Sequence, residues 1–157
     1  MKPATALLLI MLAIAIVAVA GCALPKNGQG LQKNWQPPKE LAKNFYEFDQ
    51  ATYENALKQG KDVFLDFSAN WCEICRAEGP TIKAAFNDLD SSNVVGFKVN
   101  YNDDQTDANE KALARKFNVP YQHTKLLVSP QETVLSRNYN GPSSKQEILS
   151  QIKDATK

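Results

Sequence analysis

Cysteine and histidine are scarce in this chain, with 3 of the former and 1 of the latter among 157 residues. Three thiols cannot form the disulfide framework of a small secreted scaffold. A closed zinc site needs four ligands, and His123 is the only imidazole available to complete one. An excess of charge of either sign is also missing: 18 Lys and Arg face 17 Asp and Glu, for a formal net charge of +1. With no basic block there is no electrostatic footprint for nucleic acid. The 7 Gly and 8 Pro are too few for a collagenous chain, and 43% hydrophobic residues are too many for a disordered one. No internal repeat is present, and the length suits one ordinary globular domain.

There is a single long apolar run, Ala4 to Ala20, preceded by Lys2 and followed by Gly21 and Cys22. It is at the short edge of the roughly 17–25 residues that span a bilayer, so an uncleaved anchor competes with a cleaved secretory signal. The small residues at its end favour the signal. Residues 22–44, rich in Pro, Gly, Gln and Lys, read as a flexible tether, in which Trp35 is a lone aromatic.

From residue 45 the pattern alternates between strand and helix. Phe45 to Phe48 is a short strand candidate, and Asp49 caps a helix that runs to Leu57 and ends before Gly60. Val63 to Ser68 is a near-continuous apolar run, as in a strand covered on both faces, and predicts the centre of the sheet. A helix from Cys72 to Leu89 carries Pro80, where a kink is expected. A strand over Asn93 to Asn100 and a helix over Thr106 to Phe117 follow, the latter with Asp103, Asp104 and Asp107 at its positive end. That acidic cluster reads as capping rather than metal binding. Two short strands, Lys125 to Val128 and Thr133 to Tyr139, flank a turn, and Ser144 with Glu147 has the spacing of a capping box before a last helix. The order β-α-β-α-β-α-β-β-α predicts an α/β fold in which a mixed central sheet has helices on both faces.

The chemistry concentrates at Trp71-Cys72-Glu73-Ile74-Cys75. Two thiols with two residues between them at a helix start lie one turn apart, and the helix N-terminus favours a thiolate at the first. Cys72 is then the nucleophile toward a disulfide and Cys75 the resolving thiol. An inert staple is the plain alternative, although closing so small a loop gives only about 2 kcal/mol. A dithiolate holding zinc or a soft copper ion is another.

Several separated positions resemble the thioredoxin superfamily over roughly residues 45 to 155. Phe64 to Cys72 is similar to the strand that ends in Trp-Cys with an Asp six residues ahead. Pro80 is similar to the proline of the active-site helix, Phe97-Lys98-Val99-Asn100 to the strand whose Lys approaches that Asp, and Val119-Pro120 to the pair ending in a cis-proline. Within the superfamily the likeness is greatest to the C-terminal thioredoxin-like domain of periplasmic thiol:disulfide interchange proteins. The resemblance implies a thioredoxin-like fold over residues 45–157 and a protein-disulfide reductase that needs no cofactor beyond the Cys72–Cys75 disulfide. It also implies that Asp66, assisted by Lys98, moves protons at Cys75, and that Trp71, Val119 and Pro120 form the substrate rim. Pro120, if cis, would leave the Val119 backbone free to pair with an extended client.

Against these stand an Asp66 that merely reaches solvent at a strand end, a Trp71 that is core, and an ordinary trans Pro120. Glu73-Ile74 departs from the usual Gly-Pro between the cysteines, which leaves the direction of transfer open and a thiol oxidase as the first alternative. A CxxC with one histidine also permits a copper-binding module, and a cytochrome-assembly factor differs only in its client. His123, in an unusually polar run after Pro120, reads as either a neighbour of the thiols or a solvent-facing loop residue. Val19-Ala20-Gly21-Cys22 resembles the lipobox of bacterial lipoproteins, which implies a signal peptide over residues 1–21 and lipidation at Cys22. The expected setting is extracytoplasmic and membrane-anchored, with protein disulfides as substrates and a membrane electron-donor protein as a possible partner.

Overall fold

The computed structural model describes residues 38–156. The leader, Cys22 and Trp35 lie outside the described residues. Six strands form one sheet: β1 Glu40–Ala42, β2 Phe45–Glu47, β3 Asp62–Ser68, β4 Val94–Asn100, β5 Thr124–Val128 and β6 Val134–Asn138, in the order β1-β2-β4-β3-β5-β6. Strands β2, β4 and β3 are parallel, whereas β1, β5 and β6 each join antiparallel. The helices are α1 Gln50–Lys58, α2 Glu73–Asp88, α3 Ala108–Lys116 and α4 Lys145–Ala155. The expected mixed sheet with helices on both faces is therefore what forms, and β3, buried from Val63 to Ser68, lies at its centre. Among the described residues no helix is long and apolar enough to cross a membrane.

The helices begin where side chains satisfy the first free N–H groups. Asp49 accepts from the Thr52 N–H at 2.8 Å, and both Asp107 with Glu110 and Ser144 with Glu147 form capping boxes. One expectation needs correction at the N-terminal end. The sequence reads as a tether through Asn44, yet Glu40–Ala42 forms an edge strand folded back on β2. Its Leu41 and Ala42 pack against the core, and Asn44, at φ 56°, turns the chain between the two strands.

Side chains alternate across the sheet, so each central strand feeds two cores. Val63, Leu65 and Phe67 of β3, Phe97 and Val99 of β4, and Leu126 and Val128 of β5 meet Tyr53 and Ala56 of α1 and Leu113 and Ala114 of α3. On the opposite face Phe64, Val94 and Leu127 meet Ile82, Ala85 and Phe86 of α2 and Ile148, Leu149 and Ile152 of α4. Position 96 on this second face is glycine because Phe45 and Phe86, stacked at 4.9 Å, occupy the space a Cβ would need. Further along the second face the same alternation brings Asp66, Lys98 and Lys125 into one row, since Asp66 is in register with Lys98 on β4 and with Lys125 on β5.

Candidate active site

The segment between β3 and α2 delivers the two cysteines. Cys72 is the N-cap of α2, its sulfur accepting from the Cys75 N–H at 3.2 Å, and the two form a disulfide with Cα atoms 5.3 Å apart. Both are nearly covered, Cys72 at 5% and Cys75 at 7% exposure, and they pack with Ala69. The approach to them is pinned from the loop after β4. Asp103 accepts from the Asn70 N–H at 2.8 Å and Asp104 from the Asn70 side-chain amide at 2.6 Å. Burial pushes the Asp103 carboxyl up, but the bonds from Asn70, Thr106 and Gln105 hold it below the usual carboxylate range. Of the acidic cluster, then, Asp107 caps α3 while Asp103 and Asp104 fix the turn that presents Cys72.

Asp66 is buried behind the disulfide. With Cys75, Lys98, Ser68 and Pro80 it lines a cavity of about 390 Å³ that runs between α2 and β1. Burial foremost, and the Glu78 carboxylate second, push its carboxyl up to about 7, while Lys125 and then Lys98 pull it down. An acid poised near neutrality and sharing a cavity with Cys75 suits proton transfer to and from that sulfur. Lys98 is in register with Asp66 on β4 and is one of two lysines there.

The second lysine was not anticipated from the sequence. Lys125 is completely buried, and its ammonium donates to both Glu78 oxygens, at 2.7 and 2.8 Å, and to the Asn140 carbonyl at 3.0 Å. Glu78 also accepts from the Ser143 N–H at 2.8 Å, so the pair is held by α2, β5 and the loop before α4. Both residues interrupt apolar patterns. Glu78 falls on the buried α2 face with Cys75, Ile82, Ala85 and Phe86, and Lys125 sits within the fully buried β5. Charges at such positions mark either an error in the periodicity or an internal pair.

At Val119-Pro120 the backbone differs from what the resemblance implies. Among the described residues the cis peptide bond is Gly141–Pro142, so the Val119–Pro120 bond is trans. Nor is the Val119 backbone free to pair with a client: its N–H donates to the Ala114 carbonyl at 2.9 Å and its carbonyl accepts from the Tyr101 hydroxyl at 3.2 Å. Pro120 is exposed and stands three residues ahead of His123, the residue just before β5. It is His123, at φ 51°, that faces the sulfurs. Trp71 is half exposed rather than core, its indole N–H donating to the Asn102 carbonyl at 3.2 Å. Exposed Ile74, Tyr121 and Tyr139 complete an apolar rim, with the Tyr121 ring 5.7 Å from His123 and 5.5 Å from Tyr139.

This arrangement has counterparts among known proteins. The thioredoxin family profile matches residues 44–154. A protein disulfide-isomerase, tigA, of Aspergillus niger is 31% identical over 120 residues, covering 76% of this chain and 32% of that protein. The thiol-disulfide oxidoreductase ResA of Oceanobacillus iheyensis is 32% identical over 76 residues, covering 48% of this chain and 40% of that protein. The chain thus spans less than half the length of either relative. Among solved structures the DsbH oxidoreductase superposes with a TM-score of 0.60 at 18% identity, covering 78% of this chain and 92% of that one, a likeness of fold. With a match over most of its length, a dithiol at a helix N-terminus and a buried acid behind it, the chain belongs to the thioredoxin family.

Proposed function

We propose that this chain is a lipid-anchored, extracytoplasmic thiol:disulfide oxidoreductase that reduces disulfides in other proteins. The observation that carries the reading is the Cys72–Cys75 pair capping α2 with Asp66 in the cavity behind Cys75. In the reduced state the Cys72 thiolate attacks one sulfur of a client disulfide, forming a mixed disulfide and releasing the client's other sulfur as a thiolate. Asp66 takes the proton from Cys75, and the Cys75 thiolate attacks Cys72. The client leaves with both sulfurs reduced, and its two electrons have come from the pair, now a disulfide. A dithiol donor at the membrane returns them. The apolar rim of Trp71, Ile74, Tyr121 and Tyr139 offers a sequence-tolerant surface for the client.

The leader and the Gly21-Cys22 junction support placement of the domain outside the cytoplasm on a lipid anchor. Insulin reduction by the detergent-solubilised full chain, driven by dithiothreitol, tests the chemistry: the wild type turns over, and Cys72→Ser or Cys75→Ser does not. Turnover by either variant would end the reading. Alkylation trapping in living cells tests direction, since a reductase keeps the pair mostly reduced and an oxidase keeps it mostly oxidised. Fatty-acid labelling tests the anchor, with the label lost in Cys22→Ala.

A further inference from the structure

We infer that the reduced pair, together with His123, forms a three-coordinate site for a soft monovalent metal ion, Cu(I). Cys72, Cys75 and His123 each offer a ligand atom, and these atoms all lie within 4.8 Å of one another. A second, independent feature points the same way: His123 Nδ1 is buried and has no hydrogen-bond partner. An imidazole nitrogen withdrawn from water and left unpaired is costly unless something fills its lone pair or takes its proton. The ring is also held in place. A Cβ on Gly141 would stand 3.4 Å from His123 Cδ2 and 2.8 Å from Ile74 Cγ2, so the loop before α4 closes on both, and the Tyr121 ring lies 5.7 Å away, tilted at 44°.

The donor set selects the metal. Two thiolates and an imidazole are soft to borderline ligands, which suit Cu(I) and zinc. Structural zinc takes four protein ligands and three-ligand zinc keeps a water as the fourth, whereas the cluster among the described residues supplies three donors around nearly covered sulfurs. Three donors without a fourth match Cu(I), which accepts low coordination numbers. In the oxidised protein the sulfurs are bonded to each other and cannot bind. A dithiol or phosphine reductant gives two electrons, breaks the S–S bond and is itself oxidised; the two sulfurs take up two protons. Cu(I) then enters without changing oxidation state and displaces those two protons to solvent. Metal binding and disulfide exchange would thus compete for the same sulfurs, and only the binding requires His123.

The test uses the detergent-solubilised full chain, reduced with a phosphine that is then removed, and titrated anaerobically with Cu(I) against bicinchoninate. One Cu(I) per chain is expected, with none bound by the disulfide form. X-ray absorption of the wild-type complex should show two sulfurs and one imidazole nitrogen. His123→Asn, chosen because Asn tolerates the positive φ, should bind at least tenfold more weakly. The inference is overturned if His123→Asn matches the wild type, if the spectrum shows sulfur alone, if one ion bridges two chains, or if equimolar Zn(II) displaces the Cu(I). Insulin turnover by the metal-free wild type is read separately, so a failure here leaves the disulfide-exchange reading intact and the converse also holds.

Discussion

The two faces of the one sheet are built from the same three strands and differ in what those strands present. Beneath α1 and α3 the row is apolar from end to end: Val63, Leu65 and Phe67 on β3, Phe97 and Val99 on β4, Leu126 and Val128 on β5. Beneath α2 and α4 it begins apolar, with Phe64 and Leu127, and then changes to Asp66, Lys98 and Lys125, with Glu78 above them. The first face contributes stability and the second gives some of it up for chemistry. An Asp raised to about 7 is an unfavourable group to hold ionised in the fold, and it lines the same cavity as Cys75.

The contrast predicts two large losses of stability with different consequences. Phe97→Ala on the apolar face should cost about 3–5 kcal/mol in denaturant unfolding and leave the pH profile of insulin reduction where it was. Lys125→Met should cost a similar amount, about 3–5 kcal/mol, because Glu78 is left buried without its cation. It should also move the rate profile to higher pH, since Lys125 is the stronger of the two influences holding Asp66 down. Replacing both partners, Glu78→Leu with Lys125→Met, should restore most of the lost stability. If the double variant is as unstable as the single one, the pair is not a self-contained unit.

Asp66→Asn separates stability from catalysis. The native carboxyl titrates near 7 and the unfolded one near 3.8, so between those values the native state binds the extra proton and wild-type stability falls as pH rises. The variant should lack that decline and be more stable than the wild type at pH 8, by an amount on the order of a few kcal/mol. Its insulin turnover should drop about 10-fold or more and lose the inflection near neutrality. Parallel stability curves for the two proteins from pH 4 to 8 would contradict the assignment. The smallest effect is expected at Lys98→Met, whose side chain is only partly buried: a slight alkaline shift of the rate profile and little change in unfolding.

How much of this could be read beforehand follows the range of each interaction. Caps at Asp49 and Ser144 and the thiols of Cys72 and Cys75 were legible because their partners lie within one helical turn. The Glu78–Lys125 pair spans 47 residues and is made only when β5 settles against β3, so the sequence shows two misplaced charges and no link between them. Strand β1 was absorbed into the tether because three residues of mixed polarity carry no periodicity. Val119-Pro120 misled for a related reason. The dipeptide fits a familiar local pattern, but β5 begins at Thr124, and that start puts His123 before the sulfurs instead.

The central claim is that Cys72 attacks and Cys75 resolves. Mixing the reduced Cys75→Ser chain with a disulfide-bonded client protein and separating the products without reductant tests it most directly. A covalent adduct through Cys72 that dithiothreitol dissolves is the predicted result, together with no adduct from Cys72→Ser. Adducts forming equally well in Cys72→Ser, through Cys75, would contradict the account.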